Sequence, residues 1–166
     1  MIPEIEKILY ATDLSENARY AFGYAVSLAN RYGAGITVLH VVEELSSFAR
    51  SMVEEILGEK RWADRIKEKE AAVIRDLKSR LDQFCNEVRD EQPSCPFVID
   101  KIHVVTGHPV DQIAHYSKKM DADVIVMGSR GKGGLADVTL GSTSRRVLKR
   151  GITPVMVIRL PKGEDK

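Results

Sequence analysis

Cysteine is scarce in this chain, with two in 166 residues. Two thiols cannot form a disulfide scaffold, and Cys85 and Cys95 make no C-x-x-C pair, so both read as free thiols. Net charge is nearly absent too, at +1. A broad nucleic-acid footprint needs a large basic excess, and a disordered chain needs few apolar residues with strong charge. Neither fits, because hydrophobic residues make up 43%. No stretch of ~18 apolar residues is available to cross a membrane. The opening MIPEIEKILYATD lacks a basic region followed by an apolar stretch and a small-residue cleavage site. The expectation is a cytoplasmic protein with one domain over residues 1–166, bound to neither nucleic acid nor membrane.

What is present is alternation. Ile5 to Ala11 is a short apolar run that closes on Thr12 and Asp13. The period then changes: Ala18, Ala21, Phe22, Ala25, Leu28, Ala29 and Tyr32 form one helical stripe, with Ser15 placed to cap its start and Gly33 to end it. Ile36 to Val42 is a β-branched run that reads as a buried strand. Leu45, Phe48, Met52, Ile56 and Leu57 fit a short amphipathic helix broken by Gly58. A long helix follows, with Ile66, Val73, Leu77, Leu81, Phe84 and Val88 on one face and Pro93 and Pro96 at its end. Glu59 to Glu91 carries nine charges of each sign, which reads as a solvated helix face. Val98 to Val105 alternates polar and apolar residues like an edge strand. Gly107-His108-Pro109 opens another helix, and Asp123 to Met127 is a fourth strand. A helix from Ser142 to Arg150 stops at Gly151, and Thr153 to Ile158 is a fifth strand.

Strands alternating with helices imply parallel pairing by right-handed crossovers, hence an α/β three-layer sandwich. Ligands of such sheets sit beyond the carboxyl ends of the strands, where the winding reverses. Three places qualify: Asp13, the Val41-Val42 pair, and the glycine-rich segment from Gly128 to Gly141. The last is the most informative. Its glycines allow backbone N–H groups to approach an anion, and the helix that begins at Ser142 and Thr143 adds free N–H groups, hydroxyls and its dipole. Residues Gly128 to Gly151 hold six basic residues against Asp137 alone, a local charge of +5. The Walker pattern fails, because Gly134 stands where lysine is required. Gly131-x-Gly133-x-x-Ala136 formally matches a dinucleotide fingerprint but follows the fourth strand rather than the first.

Gly128-x2-Gly131-x9-Gly141-Ser142, with KILYATDLSE, TVLHVV, VIVMGSRGKGG and LGSTSRRVLKRGITPVMVI, resembles the ATP-binding universal stress protein family over the whole chain. The resemblance implies a Rossmann-like, doubly wound five-stranded parallel sheet of order 3-2-1-4-5. It also implies a nucleotide site. Asp13 would contact the adenosine moiety, beside Ala11 and Thr12, and the Val41 backbone would meet the adenine edge. Gly128, Gly131 and Gly141 would wrap ribose and phosphates, with Ser142 and Thr143 on phosphate. Met127 and Arg130 adjoin these matched positions. Leu14 departs from the glycine that many members carry after the aspartate. The implied ligand is ATP, or AMP or ADP in its place, with Mg²⁺ as an accompanying ion. The implied partner is a second copy, joined through the C-terminal strand to make a homodimer.

The function expected is a nucleotide-dependent regulator in the stress response rather than a dedicated enzyme. The alternatives are a slow ATPase or autophosphorylating protein, with Ser129, Ser142, Thr143 and Ser144 as acceptors, and a nucleotide-independent interaction module. His103, His108 and His115 match no zinc spacing. Trp62 reads as an apolar anchor of its helix.

Overall fold

The structure is a computed structural model that describes residues 2–44, 46–91, 98–130 and 140–160. Its elements are β1 (Lys7–Thr12), α1 (Glu16–Tyr32), β2 (Gly35–Val42), α2 (Ser47–Leu57), α3 (Glu59–Glu91), β3 (Val98–Thr106), α4 (Pro109–Lys119), β4 (Val124–Gly128), α5 (Ser142–Arg150) and β5 (Val155–Ile158). The strands form one sheet of order β3-β2-β1-β4-β5. All four pairings are parallel, as the alternation requires.

Side-chain alternation along the central strands divides the core in two. Ile8, Tyr10, Ile36, Val38 and Val126 pack with Ala21, Phe22 and Ala25 of α1 and with Leu77 and Leu81 of α3. Leu9, Ala11, Leu39, Ile125 and Met127 pack on the other face with Val110 and Ile113 of α4 and Val147 of α5. Ile8, Leu9, Ile36 and Leu39 are fully buried, and each stabilises the fold by about 1.5–3 kcal/mol relative to exposure. The buried phenol of Tyr10 donates to the Ala18 carbonyl at 2.6 Å, so its polar end is satisfied inside the core. Burial pushes its pKa well above the ordinary tyrosine value.

Local signals set the helix ends. The Ser15 hydroxyl accepts from Ala18 N–H, and Gly33 closes α1 in the left-handed region at φ 68°. Val26 joins the buried side of α1, while Tyr32 in the last turn is exposed. Asp123, expected within the fourth strand, lies just before β4 instead. Its carboxylate accepts from the N–H groups of Glu6 and Lys7 at 2.8 and 2.9 Å, which ties down the entry to β1. β3 pairs only with β2 and lies at a sheet edge, in keeping with its mixed pattern. Pro93, Pro96 and Cys95 fall outside the described residues, as does Leu45.

The connection from β2 to β3 consists of two helices, α2 and α3, which meet at Gly58. The short helix expected there is α2, which ends at Gly58; it contacts α3, and Phe48, Met52 and Ile56 are exposed.

Candidate functional site

The winding reverses at β1, which has β2 on one side and β4 on the other. A cavity of about 830 Å³ opens there, beyond the carboxyl ends of the strands. Ala11, Thr12 and Asp13 come to it from β1, Val41 from β2, and Met127, Gly128 and Arg130 from β4 and its exit. Gly141, Ser142 and Thr143 come from the start of α5. All ten lie among the residues expected from the sequence, and one cavity gathers them. The eleventh, Gly131, lies outside the described residues.

The floor is shaped by close approaches. A Cβ on Gly128 would stand 3.2 Å from the Asn17 amide nitrogen and 3.3 Å from the Arg130 carbonyl. A Cβ on Gly141 would stand 3.2 Å from the Ser129 carbonyl, which already accepts from Gly141 N–H at 2.7 Å. A side chain at either position would press on these neighbours by a few tenths of an ångström. Ser144 is buried, and its hydroxyl reaches the Gly128 and Ser129 carbonyls at 3.0 and 3.2 Å, which pins α5 to the end of β4. Among the described residues no side chain caps α5, whose first turn lies at the cavity wall. Of the four hydroxyls considered as acceptors, Ser129 and Ser144 are buried, whereas Ser142 is exposed and Thr143 half-buried.

The opposite wall turns on Asp13. Its Oδ1 accepts from Ser15 N–H at 3.1 Å and from the Ser15 hydroxyl at 2.6 Å. Ser15, not Asp13, caps α1. Between them Leu14 has φ 63°, a left-handed conformation that costs a side-chain-bearing residue roughly 1–2 kcal/mol. Leu14 N–H donates to the Thr12 hydroxyl at 3.1 Å, its carbonyl accepts from Arg80 of α3 at 3.1 Å, and its side chain packs against the core.

Several lining residues carried no sequence signal. His40 is buried, and its Nδ1 lies 2.8 Å from the Thr12 carbonyl. A carbonyl only accepts, so Nδ1 bears the proton and a neutral ring keeps Nε2 as an acceptor. Lys69, Val73 and Asp76 bring α3 to the cavity. The charged face of that helix is therefore not wholly solvated. A bond of 2.8 Å from the Thr106 hydroxyl to Glu70 fastens it to the end of β3. Asn17, buried in the first turn of α1, donates to the Arg130 carbonyl at 2.7 Å and so holds the exit from β4.

The basic cluster is divided. Lys149 and Arg150 occupy the last turn of α5, where cations complement the helix dipole, and Arg150 pairs with Asp111. Among the described residues the cations lining the cavity are Lys69 and Arg130. The histidines are dispersed: His103 rests against the Tyr116 ring, His108 lies 3.4 Å from Asp111, and His115 meets Tyr116 edge-on. Trp62 does not line the cavity.

The strand order and the cavity make this a doubly wound α/β fold with a crevice at its switch point. The sequence model of the Universal stress protein family matches residues 4–159, and the chain belongs to that family. It is 28% identical over 154 residues to Universal stress protein MJ0577 of Methanocaldococcus jannaschii, covering 93% of this chain and 94% of that one. The solved structure of MJ0577 superposes with a TM-score of 0.71 at 25% identity, over 97% of this chain and all of the other. The structure of UspA from Lactobacillus plantarum gives 0.71 at 28% identity, over 95% and 100%. A universal stress protein solved in complex with cAMP shares the fold, with a TM-score of 0.58 at 19% identity over 95% and 98%. Among the described residues, no helix is long and apolar enough to cross a membrane.

Proposed function

We propose that the cavity binds ATP and that the protein acts as a nucleotide-dependent regulator in the stress response. The observation that carries this reading is convergence. Two closely packed glycines, the start of α5, Asp13 and Val41 all line one cavity at the switch point. Its volume lies within the ~300–1,000 Å³ of small-molecule sites. In this reading phosphates meet the α5 N–H groups, Ser142 and Thr143, with Arg130 beside them. Asp13 meets the ribose, and Val41 the adenine edge. Mg²⁺ enters with the nucleotide, held by phosphate oxygens and water rather than by a dedicated protein cage.

Mass analysis of nucleotide released from freshly purified, denatured protein tests this directly, followed by calorimetry with ATP, ADP and AMP. Absence of nucleotide together with no heat of ATP binding refutes it. Phosphoryl transfer to Ser142 or Thr143 is a second reading, favoured by their exposure on the cavity wall. Labelled ATP that leaves no label on the protein and releases no phosphate rejects it.

The same reading includes a homodimer through β5. Val155, Met156 and Val157 stay only half-buried in the single chain, and β5 pairs with β4 alone. Exposed apolar strand edges call for a cover. A monomeric mass by light scattering at micromolar concentration contradicts it.

A further inference from the structure

We infer that Arg80, held by Asp76, is a positioning residue for Asp13, so that α3 sets the affinity of the cavity for its nucleotide. The inference rests on the reading of this cavity as an ATP site.

The turn from Thr12 to Ser15 is strained at Leu14, which has a side chain and yet a φ of 63°. Two of its restraints are local: the Thr12 hydroxyl accepts from Leu14 N–H, and Asp13 Oδ1 accepts from Ser15. A hydrogen bond from outside the turn comes from Arg80, 66 residues away, whose Nη1 donates to the Leu14 carbonyl at 3.1 Å. A carbonyl that accepts there fixes the plane of the peptide after Leu14, and with it the left-handed turn that follows Asp13. Arg80 is aimed in turn by Asp76 one helical turn earlier, whose Oδ2 accepts from Arg80 Nε at 3.0 Å. Asp76 itself lines the cavity. A chain of contacts therefore runs from the cavity wall through Asp76, Arg80 and the Leu14 carbonyl to Asp13.

Both side chains are about half exposed, so the contact contributes little to global stability. Its effect falls on the local geometry of a strained turn, where a displacement of the Asp13 carboxylate costs binding directly.

The test is calorimetric titration with ATP of the unmodified protein, Arg80→Ala, Arg80→Lys, Asp13→Ala and the double variant Arg80→Ala/Asp13→Ala, with the melting temperature of each ligand-free form. Arg80→Ala is expected to weaken ATP binding about three- to tenfold, with the melting temperature within about 2 °C of the unmodified protein. Arg80→Lys, which keeps one donor, is expected to lie between. In the Asp13→Ala background, itself weakened, Arg80→Ala is expected to change affinity less than about twofold, because the group it positions is gone. A direct Coulombic pull of Arg80 on the phosphates would persist in that background and fade with salt, so an undiminished second loss overturns the inference. Unchanged affinity in Arg80→Ala also overturns it while leaving the ATP site standing. An unmodified protein that binds no ATP refutes both.

Discussion

Asn17→Ala should loosen the whole exit from β4. The Asn17 amide is buried in the first turn of α1, and its Nδ2 donates to the Arg130 carbonyl at 2.7 Å across 113 residues of sequence. Truncation removes one neutral hydrogen bond, about 0.5–1.5 kcal/mol, and leaves the Arg130 carbonyl to find water. A partial offset exists, because Asn17 Oδ1 is buried with no hydrogen-bond partner among the described residues and disappears as well. The balance is a loss of about 1 kcal/mol, which in a chain of this size lowers the melting temperature by roughly 2–4 °C. Asn17→Asp separates this account from simple loss of volume. The carboxylate gains about 0.3–1 kcal/mol from the N-terminal dipole of α1, but it is an acceptor facing an acceptor in a buried place. Leaving such a group unsatisfied costs about 1–3 kcal/mol or more, so the isosteric variant should be less stable than the alanine variant. Thermal unfolding followed by circular dichroism, with and without ATP, reads both effects. Equal melting temperatures for the unmodified protein and Asn17→Ala, or an Asn17→Asp variant no worse than Asn17→Ala, refute the reasoning.

Other outcomes follow from the same coordinates. Gly141→Val should weaken ATP binding by at least about tenfold, since even a Cβ at that position stands 3.2 Å from the Ser129 carbonyl; calorimetry decides it. His103 has its pKa lowered below 6.5 by burial, with Lys101 and Lys119 adding to the effect. The unfolded chain therefore takes up this proton at higher pH than the folded one, and the contribution is lost as pH falls from about 6.5. Replacing His103 by glutamine should flatten the fall of melting temperature with pH below that point. Thr106→Val removes the hydroxyl that fastens Glu70 and should speed amide exchange in the middle of α3, by hydrogen-exchange mass spectrometry, with under about 1 kcal/mol of global loss.

Much of the architecture was legible in the chain because burial is written locally. β1, β2 and β4 are continuous apolar runs, which a parallel sheet covered on both faces demands, and Ser15 and Gly33 mark helix ends by chemistry that operates within a few residues. The glycine segment stood out by its composition and local charge, while its reading as a nucleotide loop came from the family resemblance. The other wall was not. Lys69 and Asp76 look like any solvated helix residues until α3 is laid over the ends of the strands. His40 reads as one polar residue in an apolar run, and its ring finds Thr12 only when β1 and β2 pair. Asn17 is an unremarkable first-turn residue until β4 arrives beside it. Leucine itself carries no signal for a left-handed backbone, so the one trace of the strain at residue 14 was its place where the resembled family often carries glycine. The amphipathic spacing of α2 announced a helix with an apolar face but not what covers that face, and Phe48, Met52 and Ile56 are exposed.

The length of α3 has a mechanical consequence. Thirty-three residues of continuous helix make a rod of about 50 Å, and its attachments to Thr106 and Leu14, at Glu70 and Arg80, lie on either side of its middle, where it crosses the cavity. From the Glu70 attachment to the junction with α2 at Glu59 is roughly 16 Å of lever arm. A tilt of about 5° there moves the far end by ~1.4 Å. That end carries the exposed Phe48, Met52 and Ile56 on α2, so a smaller adjustment of α3 at the cavity is passed on as a larger displacement of this apolar surface.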